Sequence, residues 1–202
     1  MPSRVSVINR ALLKLGVQTI ADPDEESEPA RVSKQLFDDS VRAELRKNPW
    51  CFATRRAQLA AAVSAPAFGF ARAFPLPSDF VRLVQAGEYY DFAAVRHAPL
   101  DRSVVPYRIE GAQLLTDWPA PLNIRYVVDL SADTGQWDAT FVDAFSFRLA
   151  AEMCGTLTGS DSKTTMLDKQ YARAIGEARR LNAIETPPEP LPDNSWTTTR
   201  FF

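Results

Sequence analysis

The side chains that do most protein chemistry are scarce in this chain of 202 residues, which has one histidine, His97, and two cysteines, Cys51 and Cys154. A Ser-His-Asp arrangement would have to recruit His97, which sits in AVRHAPLD with no motif around it and reads as an exposed loop histidine. Two thiols and one imidazole can build neither a disulfide framework nor a Cys/His zinc site. They read as small core residues in a reducing compartment, with a single Cys51–Cys154 bridge as the alternative. The stretch GTLTGSDSKT, from Gly155 to Thr164, misses the phosphate-loop fingerprint, because three residues separate Gly159 from Lys163 where the two should adjoin. There is no GxSxG, HExxH or CxxC. The acid pair Asp38 and Asp39 reads as a solvated helix face. The acidic cluster from Asp22 to Glu28 precedes a helix, whose N-terminal dipole favours negative charge. No catalytic, cofactor-binding or metal-ligating residue is assigned, and the chain reads as a non-enzyme.

Charge and aromatic placement say more. Twenty-three Lys and Arg against 25 Asp and Glu give a formal charge of -2, so no whole-chain basic field points to nucleic acid. Yet from Leu45 to Ser78 there is no acid, and five basic residues stand there: Arg46, Lys47, Arg55, Arg56 and Arg72. This stretch reads either as a contact for DNA or an acidic protein surface, or as a solvated region whose acids lie elsewhere. At the other end, Trp196, Arg200, Phe201 and Phe202 lie in a proline-rich segment that cannot form a core of its own. Large aromatics beside an arginine are typical interface anchors, so this arm is expected to dock, on a neighbouring chain in preference to its own.

The elements that must position these residues follow from the apolar spacing. Val5, Ile8, Leu12 and Leu15 behind Ser3, with Gly16 after them, predict a first helix. Ser27 and Pro29 open a second, striped by Val32, Leu36, Val41 and Leu45 and stopped by Asn48 and Pro49. Between Pro49 and Leu130 helical spacing gives way to short β-rich runs: Phe80 to Val84, Tyr107 to Ile109, Gln113 to Thr116, and Leu122 to Val128. Gly111 implies a tight hairpin, with the Leu122 to Val128 run as its third strand. Phe141, Phe145, Leu149 and Met153, then Met166, Leu167, Tyr171, Ile175, Ala178 and Leu181, predict two further helices.

The expected fold class is therefore α+β: a four-helix bundle from both ends of the chain, with a small antiparallel β region inserted and an extended C-terminal arm. In domain terms, 1–48 and 138–184 form the bundle, 49–137 the β insertion and 185–202 the arm. The 46% apolar content, with 12 Phe, excludes a disordered chain. Neither an apolar leader nor a run of about 18 uncharged apolar residues is found, so a soluble, non-secreted protein is expected.

The order of several segments resembles the tail tubular protein A group, the head-to-tail adaptors of tailed bacteriophages. The resemblance rests on INRALLKLG before an acidic loop, LRKNPWCFA (Leu45 to Ala53), FPLPSDFVRL (Phe74 to Leu83), and YARAIGEARRLNAIE followed by PDNSW. It spans nearly the whole chain and is faintest over 86–120. It implies a structural virion protein without catalysis or cofactor: a ring, commonly of twelve copies, between the portal protein and the tail tube or nozzle, assembled in the host cytoplasm, with double-stranded DNA passing through its channel. On that basis the arm would meet the portal or a neighbouring subunit. The alternatives are a tail-completion or terminator protein, and a cytoplasmic module that binds a small ligand.

Overall fold

The computed structural model describes residues 2–87 and 106–185. His97 and the arm anchors Trp196, Arg200, Phe201 and Phe202 lie outside these residues.

Four helices form where the spacing places them. Helix α1 (Arg4–Leu15) is opened by a reciprocal cap between Ser3 and Ser6 and closed by Gly16, whose φ of 72° lies in the left-handed region that glycine enters without strain. Helix α2 (Glu28–Lys47) starts at Ser27, whose hydroxyl accepts from the Ala30 amide, and stops before Asn48 and Pro49. Helix α3 (Ala139–Thr158) is capped by Asp138 and ends at Gly159. Helix α4 runs from Asp161 to Glu185.

Six strands complete the described chain: β1 (Thr54–Leu59), β2 (Arg72–Pro75), β3 (Phe80–Ala86), β4 (Tyr107–Glu110), β5 (Gln113–Thr116) and β6 (Leu122–Val128). They form two three-stranded sheets, ordered β1-β6-β3 and β2-β5-β4. The hairpin between β4 and β5 turns on Gly111 and Ala112. Gly111 has a φ of 58°, and among the described residues no type but glycine shows positive φ, so Ala112 does not, which is the pattern of a type II′ turn with glycine first. The third strand of this hairpin is β2, paired antiparallel with Phe74 opposite Leu114, and not β6 as the sequence suggested.

The described residues divide into two compact units. The first comprises those within Met1–Arg56, Pro77–Val84 and Arg125–Glu185, and the second those within Ala57–Leu76 and Gln85–Ile124. In the first unit the core is aromatic. Trp137 lies 5.2 Å from Phe141 and 5.3 Å from Phe145, both edge-on, and Phe37 stacks on Trp137 at 6.0 Å. Trp50 meets Phe141 edge-on at 5.0 Å and donates its indole N–H to the Glu44 carbonyl.

The expectation of a four-helix bundle is overturned. Helices α1, α2 and α4 each pack on α3, which serves as a shared axis, and the strands make two separate sheets instead of one inserted region. The reason lies in α3 itself. Its buried residues include Phe141, Val142, Ala144, Phe145, Leu149, Ala150, Met153 and Cys154, which reach round most of the helix, whereas the buried residues of the other three helices keep to one side. A helix apolar round most of its surface belongs at the centre, and the one-sided helices cover it.

Candidate functional site

The acid-free stretch was the main candidate for a contact surface, and its five basic residues meet different fates. Arg46 stands in the last turn of α2, where cations are favoured by the helix dipole, and donates to the Val81 carbonyl at 2.8 Å. Arg82 returns the contact, donating to the Arg46 carbonyl at 3.2 Å. Lys47 binds Glu44 Oε2 at 2.8 Å, and Arg55 lies 3.8 Å from Asp79. Glu44 and Asp79 are the residues that flank the stretch in sequence, so acids at its two ends reach back to match two of its cations. Arg56 is exposed on β1. Arg72 belongs to the second unit and donates to the carbonyls of Asp117 and Trp118 at 3.0 and 3.4 Å. Arg46, Lys47, Arg55 and Arg56 share the first unit.

Asp79 also receives the Tyr126 hydroxyl at 3.1 Å, while the Tyr126 ring stacks on Phe80. Burial raises the Tyr126 phenol above its ordinary value, and the bond to Asp79 adds to the shift. Nearby in chain order, Asp129 accepts from Arg42 Nε at 2.7 Å. Partial burial pushes the Asp129 carboxyl up, but the hydrogen bonds from Arg42 and Ser131 outweigh it and hold the group below the usual carboxylate range.

The densest polar cluster is one that sequence reasoning missed. Glu44 is fully buried on α2. Its Oε2 accepts from Lys47 and from the Tyr171 hydroxyl of α4, both at 2.8 Å, and lies 3.5 Å from Arg148 of α3. Lys47 also donates to the Tyr171 oxygen at 3.1 Å, closing a triangle. Arg148 pairs in turn with Glu152 at 2.7 Å, and Glu152 accepts from Ser40, back on α2. Two carboxylates face two cations, so the cluster is neutral in sum, and it ties three helices together. Glu44 Oε1 and Arg148 Nε remain buried without a hydrogen-bond partner. A carboxylate with one oxygen shared by an ammonium, a guanidinium and a phenol is suited to joining helices. The signal available in the sequence was Glu44 at i−3 from Lys47 together with the polar Ser33 and Ser40 on the same helix.

Three hollows lie in the first unit. A polar one, of about 390 Å³, is lined by Pro23, Asp24, Glu25, Glu26, Arg31 and Lys34. The remaining two hold aromatic side chains. One, of about 280 Å³, is lined by Trp50, Phe52, Asp138, Ala178, Leu181 and Asn182, and the other, of about 390 Å³, by Pro2, Arg10, Trp137 and Val142 among others. Neither Cys51 nor Cys154 is disulfide-bonded. Among the described residues no group of three or more His, Cys, Asp or Glu is placed to hold a metal ion, and no helix is long and apolar enough to cross a membrane. No protein-family model matches the chain, and no curated protein matches it.

Proposed function

We propose that this chain is a head-to-tail adaptor of a tailed bacteriophage, one subunit of a closed ring, of twelve copies as the resemblance implies, seated between portal and tail. The observation that carries the reading is the placement of three of the segments on which the resemblance rests; of the others, FPLPSDFVRL divides between the two units after Leu76, and PDNSW lies outside the described residues. INRALLKLG, LRKNPWCFA and YARAIGEARRLNAIE are separated by up to more than half of the chain, yet they form α1, the end of α2 with its following turn, and the C-terminal half of α4, all in one compact unit. The surface of α4 also suits a subunit that lends area to neighbours. Of its 25 residues only Leu167, Ile175 and Ala178 are buried, while Met166 and Ile184 are exposed.

In this reading the basic residues Arg46, Arg55 and Arg56 meet acidic portal loops or passing DNA, and the arm carrying Trp196, Arg200, Phe201 and Phe202 grips the portal or the adjacent subunit. DNA that must slide needs no base-reading side chains. The test is native mass spectrometry of the chain mixed with the portal protein of the same genome. A discrete complex with one adaptor per portal subunit is expected, and the absence of any complex across salt conditions overturns the reading.

A further inference from the structure

The described residues of the second unit leave one sheet edge open. Among the described residues β4 has a single strand neighbour, β5, and all four of its residues are exposed. In a hairpin with a two-residue turn the residues flanking the turn exchange hydrogen bonds, so Glu110 with Gln113 and Arg108 with Leu115 are the bonded pairs. The peptide groups of Tyr107 and Ile109 therefore point away from β5, towards the open edge. Side chains alternate, which puts Tyr107 and Ile109 on one face and Arg108 and Glu110 on the other. Exposed apolar side chains gather in the same unit: Val63, Phe68, Tyr107, Ile109 and Trp118.

A bare edge of this kind accepts another strand, and its charges select which one. We propose that β4 of one copy pairs antiparallel with β4 of a second copy, in the register that sets Ile109 opposite Ile109. That register is self-complementary in two respects. The outward-facing peptide groups of the two Ile109 residues exchange a pair of hydrogen bonds. Arg108 of each copy then falls opposite Glu110 of the other, as a non-hydrogen-bonded pair, the kind in which facing side chains stand closest. A shift by one residue would bring Arg108 opposite Ile109 and leave both ion pairs unmade. The contact is two-fold and closes after two copies, so it goes beyond the ring reading and does not depend on it.

The test is sedimentation equilibrium of the full chain without any portal protein. A species of twice the 22.5 kDa chain mass is expected to grow with concentration. Arg108→Glu alone and Glu110→Arg alone each place like charges opposite one another twice, and each is expected to weaken the dimer by about tenfold. The double swap R108E/E110R restores the complementarity and the dimer with it. Hydrogen exchange provides a second readout, because dimer formation should slow the amides of Tyr107 and Ile109 and leave those of Arg108 and Glu110 unchanged. A wild-type chain that stays monomeric up to about 1 mM, a range in which even weak pairing would show, overturns the proposal. So does a dimer unaffected by the single reversals, or one that the swap fails to rescue, since another surface or partner would then be responsible. None of these outcomes bears on binding to the portal, which is read separately.

Discussion

The Tyr171 hydroxyl of α4 donates to Glu44 Oε2 of α2 across 2.8 Å, joining two helices 127 positions apart in sequence at a carboxylate with no exposure to solvent. Removing that hydroxyl leaves Glu44 with Lys47 and Arg148 but one donor short. Tyr171→Phe is expected to cost about 1–2 kcal/mol, as for a lost hydrogen bond to a charged group. Glu44→Ala takes away the acceptor that Lys47 and Tyr171 share, leaves Arg148 with Glu152 alone beside a cavity, and is expected to cost about 3–5 kcal/mol. Urea denaturation of both variants and of the double mutant checks this, and a coupling near zero in the cycle would show that the bond contributes nothing.

Asp138 caps α3 by accepting from the amides of Thr140 and Phe141, at 2.8 and 3.3 Å, as well as from the Thr140 hydroxyl. Because α3 is the helix on which the other three rest, a weaker cap should lower the stability of the whole unit and not merely fray one end. Asp138→Ala is expected to cost about 1–2 kcal/mol, and Asp138→Asn less, since an amide oxygen still accepts. Thermal melts followed by circular dichroism would register the difference as a single shifted transition.

Acid should act through Asp129. Its carboxyl sits below the usual range in the folded chain, so its contribution is complete above the unfolded value of about 3.9 and is lost as pH falls through the folded value. Asp129→Asn is therefore expected to be less stable than the parent at neutral pH, with the gap closing below about pH 4. Measuring stability against pH for both proteins decides it, and a gap constant down to pH 2 would remove Asp129 as the cause.

Phe141 touches Trp50, Phe52, Trp137 and Phe145 at centroid distances of 5.0 to 6.1 Å. Phe141→Ala should open a cavity at the centre of the first unit and cost about 3–5 kcal/mol, whereas Phe141→Leu should cost markedly less. Tryptophan fluorescence should respond in both variants, since two indoles border the ring.

Deleting residues 186–202 is expected to leave the far-UV circular dichroism of the described elements unchanged while abolishing assembly with the portal. Reversing Arg55 and Arg56 to Glu is expected to weaken assembly or DNA retention. Normal assembly of the truncated chain would discard the arm as the grip, and unchanged behaviour of the charge reversals would assign Arg55 and Arg56 to the solvated surface.

Local signals in the sequence were dependable where the physics is local. Ser3, Ser27 and Gly16 mark their helix ends because a side chain or a left-handed glycine meets backbone groups only a few residues away. The buried face of α2 was less legible. The stripe through Val32, Leu36, Val41 and Leu45 captured its C-terminal half, but the structure buries Phe37 together with Ser33, Ser40 and Glu44. Polar residues go inside there because Glu44 and Ser40 find partners on α3 and α4, and a partner more than a hundred residues away leaves no trace in local spacing. Strand partnership failed for the same reason. The hairpin was visible in its turn, but β2 and not β6 completes its sheet, a choice made by non-local pairing. The centrality of α3 was written in its composition, with apolar residues round most of it, although a search for one-sided stripes passes over it.

The position of α3 also sets a timetable for synthesis. The ribosome delivers α1 and α2 within the first 47 residues, but the helix whose surface they cover begins only at Ala139. Domains generally fold as units as the chain emerges, and this unit cannot close until its axis is made. For the span of about ninety residues in between, at the usual 5–20 residues per second, the apolar stripes of α1 and α2 wait several seconds without their partner. The nascent chain is thus most exposed to aggregation and to chaperones before residue 158 is added, and α4, which follows α3 after a two-residue connection, closes the unit almost at once.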